Sequence, residues 1–114
     1  MFNYEGTLHI TLLEPESPTK PSTYAITFTP YAHGGGALKR VICYGKEKVT
    51  ELLSLLGIPQ DTIARALEEV SKPGSSASIP KVVLNEAQLN KYGLGEVSFT
   101  QSIRDYLGAM TSST

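Results

Sequence analysis

The chain is poor in the residue types from which disulfide, metal and nucleophilic sites are most often built. It has one cysteine, two histidines and no tryptophan among 114 residues, and its 10 basic and 11 acidic side chains leave a formal net charge of −1. A single cysteine excludes an internal disulfide, and the widely spaced histidines lack the close-set ligand pairs of zinc sites. The near-neutral charge excludes nucleic-acid binding that is driven by gross positive charge.

Long apolar runs are also missing. No segment approaches the roughly 20 apolar residues of a transmembrane helix, and residues 1–6 hold neither a cationic nor an apolar signal segment. We therefore expect a protein without membrane association, located in the cytoplasm where a free thiol stays reduced. We also expect no metal and no cofactor.

Alternating apolar and polar residues dominate the first 45 positions. In residues 2–12 most even positions are apolar and the odd ones polar, which is the pattern of a strand with one buried face. Residues 23–29 repeat this pattern, and residues 37–44 are rich in β-formers although Val41, Ile42 and Tyr44 blur the alternation. The connections are too short for crossover helices, so we predict a three-stranded antiparallel meander.

The apolar spacing changes to that of helices after Lys46. Two apolar stripes, within 49–56 and 63–70, flank Gly57 and predict a helical hairpin that Pro73 and Gly74 end. Further on, Asn85 and Gln88 have the spacing of a capping box. A last helix is expected at 103–107.

The fold class expected from these patterns is α+β. It comprises the three-stranded antiparallel meander, with a fourth short strand at 81–84 as an addition at an edge, and the helical hairpin and C-terminal helices packed on one face. We expect a single domain over 1–114, with a β-meander in 1–45, a helical part in 46–110 and a frayed tail in 111–114.

Cys43 is the strongest candidate nucleophile. Catalysis would need a histidine within hydrogen-bond reach, oriented by a third group. His33 lies at a loop tip roughly 20 Å away along the strand at about 3.3 Å per residue, and His9 approaches only if the strand register permits it. No acid is placed to orient either ring, so we predict a buried, inert thiol and a protein that is not an enzyme.

A glycine run followed by two cations offers a candidate site for an anion or small ligand. Exposed backbone N–H groups and positive side chains suit an anion. The spacing is not that of a P-loop, because Arg40 stands at the first glycine position and Glu47 at the Ser/Thr position. A flexible hairpin tip is the alternative. The candidate ligand-binding residues are His33, Gly34, Gly35, Gly36, Lys39 and Arg40.

The connector at 15–20 satisfies the P-x-x-P-x-K form that SH3 domains bind in polyproline II conformation. An extended link between two strands explains the same prolines without a partner.

The predicted hairpin resembles the DNA-binding helix-turn-helix over 49–70, with Gly57, Ile58 and Ile63 at the positions that set its two helices apart. That resemblance implies nucleic-acid contacts from the second helix, where the candidates are Gln60, Thr62 and Arg65. The chain departs from the pattern in two ways: Leu53 stands where a small residue is usual, and three acids accompany the single cation of the second helix.

The same segment also resembles the first two helices of a ubiquitin-associated domain, through 56–59 followed by Ala66 and Leu67. Two amphipathic helices that pack on the sheet account for both patterns.

With no catalytic constellation, the favoured function is a small non-catalytic protein-interaction or regulatory module with an unidentified protein partner. A nucleic-acid-associated regulator is the first alternative, although the charge disfavours it, and the anion or small-ligand site is the second. The clean alternation of residues 2–12 also motivates a homodimer formed through an open sheet edge.

Overall fold

A computed structural model describes residues 3–15, 17, 19–32 and 38–94. The elements in chain order are β1 (Asn3–Leu12), β2 (Thr23–Pro30), β3 (Arg40–Tyr44), α1 (Lys46–Leu55), α2 (Gln60–Glu69), β4 (Ser76–Asn85) and α3 (Glu86–Lys91). The strands form one antiparallel sheet in the order β3-β2-β1-β4. The α+β class, the meander of β1 to β3 and the helical hairpin are confirmed.

β4 is longer than the predicted fourth strand and changes the position of β1. It covers 76–85 rather than 81–84 and pairs with β1 along its length. β1 therefore lies inside the sheet, and the expectation that residues 2–12 form an open edge for a homodimer is wrong. The free edges among the described residues belong to β3 and β4.

A bulge explains why the sequence pattern of β4 was hard to recognise. Gly6 pairs with Val82 and Leu8 with Ile79, so two residues of β4 stand opposite Thr7 alone. The extra residue moves the buried face from odd positions before the bulge to even positions after it. Alternation across the whole segment is lost for that reason.

The core lies between one face of the sheet and the helical hairpin. α1 packs beside β3 and α2 packs beside β4. The largest fully buried side chains come from three strands and both helices, and they are Tyr24, Phe28, Leu8, Ile10, Ile26, Leu53, Ile63, Leu84, Val49 and Val70. The stripes that predicted two helices are thus the surfaces that bury them against the sheet.

The hairpin turn is a Schellman motif at the end of α1. The N–H of Ile58 donates to the Leu53 carbonyl at 3.1 Å, and the N–H of Gly57 donates to the Ser54 carbonyl at 3.0 Å. Gly57 has φ 86°, the left-handed conformation that glycine enters without strain. Leu53 and Ile58 are both buried. The large side chain of Leu53 therefore packs in the core next to this turn.

The predicted capping box of α3 is confirmed. The N–H of Gln88 donates to Asn85 Oδ1 at 2.8 Å, and the N–H of Asn85 donates to Gln88 Oε1 at 2.9 Å. Leu84 before the cap and Leu89 after it are both buried. The helix predicted at 103–107 and the tail predicted at 111–114 lie outside the described residues.

Candidate functional site

Of the predicted ligand-binding residues, the structure describes only Lys39 and Arg40. His33, Gly34, Gly35 and Gly36 lie outside the described residues. Lys39 lines a cavity of about 240 Å³ next to Tyr4 and Glu86, whereas the exposed Arg40 begins β3 and does not line that cavity. Most small-molecule sites have volumes of roughly 300–1,000 Å³. The two described cations thus lie in different surroundings, and the ligand site itself stays a prediction.

The three predicted nucleic-acid residues of α2 lie in different surroundings. Gln60 Nε2 donates to Ser54 Oγ of α1 at 2.6 Å, and the half-buried Thr62 lines a crevice between the hairpin turn and β4. Arg65 is exposed, and Asp61 and Glu68 are exposed one helical turn away on either side of it. The outer surface of α2 is therefore acidic overall, which opposes the approach of phosphates.

The connector before β2 contains a turn. The N–H of Lys20 donates to the Ser17 carbonyl at 3.2 Å, and the hydroxyls of Ser17 and Thr19 lie 3.0 Å apart. Polyproline II has no internal hydrogen bonds. The extended conformation expected for this connector is therefore wrong at Ser17, Thr19 and Lys20, and an SH3 domain would have to break the bond between Lys20 and Ser17.

Cys43 and His9 lie on opposite faces of the sheet. Cys43 pairs with the buried Tyr24, while His9 alternates with the buried Leu8 and Ile10 and so faces the other way. The His9 Nδ1 atom lies 3.1 Å from Ser78 Oγ. No imidazole among the described residues can take a proton from Cys43, and burial raises the pKa of the Cys43 thiol.

This burial predicts that the Cys43 thiol reacts slowly with disulfide reagents. Only the thiolate reacts readily, so a raised pKa and a side chain that is only 6% exposed should make native Cys43 react with a disulfide reagent far more slowly than the urea-unfolded chain at about pH 8. Labelling followed by absorbance checks this. Equal rates in the two states would contradict it.

The same shift gives the stability a pH dependence. The unfolded thiol ionises near its ordinary pKa of about 8.5 while the folded thiol stays protonated, so the free energy of unfolding should fall as the pH rises above that value. The matched control is Cys43→Ala, which should lack this part of the alkaline loss.

An open groove with a largely apolar lining lies between β3 and α1. It has a volume of about 320 Å³; residues 41–44 form one side and Lys48, Glu51, Leu52 and Leu55 the other. Leu55 is 55% exposed and Tyr44 is 65% exposed. The Lys48 Nζ atom lies 3.5 Å from Glu51 Oε2, so the two charges at the groove offset each other.

The backbone of β3 presents hydrogen-bonding groups beside this groove that no described strand pairs with. The N–H of Gly45 donates to the Ser22 carbonyl at 2.7 Å, and this bond sets the phase of the antiparallel ladder. Val41 and Cys43 then exchange hydrogen bonds with β2, while the N–H and C=O groups of Arg40, Ile42 and Tyr44 point outward. Three residues therefore offer both a donor and an acceptor at this edge.

The edge of β4 is protected instead. Pro80 has no N–H, and Lys81 in the bulge has φ 58°. The N–H of Lys81 donates to the Tyr31 hydroxyl at 2.9 Å. A proline, a bulge and a lysine are devices that stop strands from pairing at an edge. β3 has none of these within its five residues, apart from Arg40 at its end.

Sequence reasoning missed this groove because it depends on the packing of α1 beside β3. Two signals were nevertheless present. Ile42 and Tyr44 gave β3 apolar residues on both faces, and Leu55 lies outside the buried stripe of α1. Apolar residues in excess of what the core needs are typical of interaction surfaces.

Metal sites and membrane-spanning helices were also sought in the described residues. No cluster of three or more His, Cys, Asp or Glu side chains in 3–15, 17, 19–32 and 38–94 could hold a metal ion. None of the helices in that part of the chain is long and apolar enough to cross a membrane. Comparison of the chain with models of protein families, with curated proteins and with solved structures found no match.

Proposed function

We propose that this protein is a non-catalytic protein-interaction module that receives an extended protein segment as an additional strand on β3. The observation that supports the proposal is the outward backbone of Arg40, Ile42 and Tyr44, unpaired among the described strands, beside the apolar groove between β3 and α1. In strand addition the backbone bonds give affinity, and pockets for alternate side chains give specificity.

The groove indicates which segment would bind. Side chains of an added strand alternate between the two faces of the sheet. Those on the groove side would contact Val41, Leu52 and Leu55, so apolar residues are favoured at every second position. Since Lys48 and Glu51 offset each other, these two groove residues add no net charge that would select the partner.

A selection of linear peptides tests the proposal. A displayed library of random peptides is selected on the wild-type protein, and the enriched peptides are measured by fluorescence anisotropy. Ile42→Pro removes an outward N–H, which no ladder bond uses, and should weaken binding about fivefold, since one lost hydrogen bond is worth about 1 kcal/mol. Leu55→Glu places a charge in the groove and should weaken binding at least as much.

The matched control is Val83→Pro. Val83 is 55% exposed on the protected edge of β4 and its N–H also points outward, so this variant should bind as the wild type does. Failure to enrich any peptide, or equal binding by all three variants, would overturn the proposal.

The nucleic-acid and small-ligand hypotheses stay predictions. Binding of duplex DNA at low salt that weakens as salt rises would support the first. A rise in melting temperature with a nucleotide or phosphate would support the second.

A further inference from the structure

We infer that the segment added to β3 is β3 of a second copy of this chain, so that the protein forms a two-fold symmetric dimer with one continuous eight-stranded sheet. The inference rests on the proposed strand addition and names its partner. Unlike the predicted homodimer edge, β1, this strand lies at the border of the sheet.

The register follows from which groups of β3 point outward. Arg40, Ile42 and Tyr44 carry the donors and acceptors that no described strand uses, and Ile42 is their centre. A two-fold axis at Ile42 places it opposite the partner's Ile42 and places Arg40 opposite the partner's Tyr44. Each pair exchanges two backbone hydrogen bonds, which gives about six for the three pairs. A shift by one residue would match outward groups with inward ones.

The charges of the strand suit this antiparallel arrangement. Arg40 is exposed, and Tyr44 is 65% exposed on the same face of the sheet. Opposite one another across the axis, the guanidinium and the ring form a cation–π pair, and symmetry makes two such pairs. A parallel pairing would instead bring the two copies of Arg40 together. The paired charges of Lys48 and Glu51 add no net repulsion.

The apolar side chains of the groove also become covered. An axis perpendicular to the sheet places both copies of α1 on the same side, so Leu52 and Leu55 of one copy approach those of the other. Beneath them lie the partner's Val41 and the partner's Cys43. Leu55, which is 55% exposed in the single chain, gains most from this contact.

The protected edge of β4 explains why association stops at two chains. Pairing of β3 with β3 uses the same surface on both copies and closes the assembly, whereas pairing of β3 with β4 would continue into a fibre. Pro80 and the left-handed Lys81 block that second route. The outer edges of the dimer are then both copies of β4.

The test joins sedimentation equilibrium of the wild-type chain with a site-specific disulfide. In a Cys43→Ser background, Ile42→Cys places two thiols on residues whose Cα atoms would lie about 5.5 Å apart, within the range for a disulfide. We expect a mass twice that of the 12.3 kDa chain and rapid formation of a covalent dimer on mild oxidation. Val83→Cys in the same background is the control and should remain monomeric on a non-reducing gel.

A second variant separates loss of the dimer from loss of the fold. Leu55→Glu leaves the buried residues of α1 intact, and it should retain the circular dichroism of the wild type while shifting to the monomer mass. A monomeric wild type, or cross-linking equal to that of the Val83→Cys control, would overturn the dimer. If library peptides still bind at β3 in that case, the proposed function stands without the dimer; if they do not, both fail.

Discussion

Gly6→Ala is expected to destabilise the protein by about 3 kcal/mol or more, or to prevent folding. A Cβ atom at Gly6 would overlap the Thr29 carbonyl oxygen and lie 2.7 Å from Pro30 Cα. Both are backbone atoms of β2 at positions that pair with Gly6 and Thr7 of β1, so β2 cannot move aside there without breaking ladder bonds between the two strands. Overpacking against a fixed backbone costs typically 1–3 kcal/mol and sometimes more.

Urea denaturation measures this effect, and Thr7→Ala is the control. Thr7 is the next residue of β1, is half-buried, and points to the opposite face of the sheet. Its replacement should cost no more than about 1 kcal/mol, the span of strand propensities. A loss for Gly6→Ala that is no larger than that of Thr7→Ala would show that β1 and β2 do not approach as closely as described.

Leu53→Ala is expected to cost about 3 kcal/mol. Leu53 is fully buried, its carbonyl accepts the bond that closes the hairpin turn, and truncating a buried leucine costs about 2–5 kcal/mol through lost transfer energy and the cavity left behind. Leu55→Ala, two residues later in the same helix, should change the stability of the monomer by no more than about 0.5 kcal/mol, as is usual for surface substitutions.

The comparison is made by urea denaturation at low protein concentration, where self-association does not contribute to stability. Equal losses for Leu53→Ala and Leu55→Ala would contradict the orientation of α1 and with it the groove. The predicted difference would show that Leu55 is not needed by the monomer core, which is a requirement of an interaction surface.

Most elements that the sequence predicted have an uninterrupted pattern, and β3 was predicted from its β-forming residues although its alternation is blurred. β1, β2 and both helices of the hairpin keep one apolar period from end to end, and local signals such as Gly57 and the capping box of Asn85 report their own surroundings. β4 was predicted only in part because its bulge at Pro80 and Lys81 reverses which positions face the core. Because β4 was predicted to be short, β1 was wrongly expected to lie at an edge of the sheet.

The candidate site was less predictable than the fold because it is made by tertiary contact. A ligand site was predicted at the glycine run and the two cations after it from their residue types alone. In the structure, Lys39 and Arg40 lie in different surroundings. The groove combines backbone groups with apolar side chains such as Leu55. Residue types do not show which backbone groups stay unpaired, and Leu55 was not part of any predicted site. Only the packing of α1 against β3 shows that Leu55 stays outside the core.

Amide hydrogen exchange at Ile42 tests the central claim most directly. In a single chain this N–H points away from β2 at the edge of the described sheet and should exchange quickly, while the N–H of Cys43, which bonds to β2, should be protected. We predict that Ile42 becomes protected when the protein concentration is raised or a selected peptide is added, and that Leu55→Glu abolishes this protection. Rapid exchange at Ile42 under all of these conditions would contradict strand addition at β3.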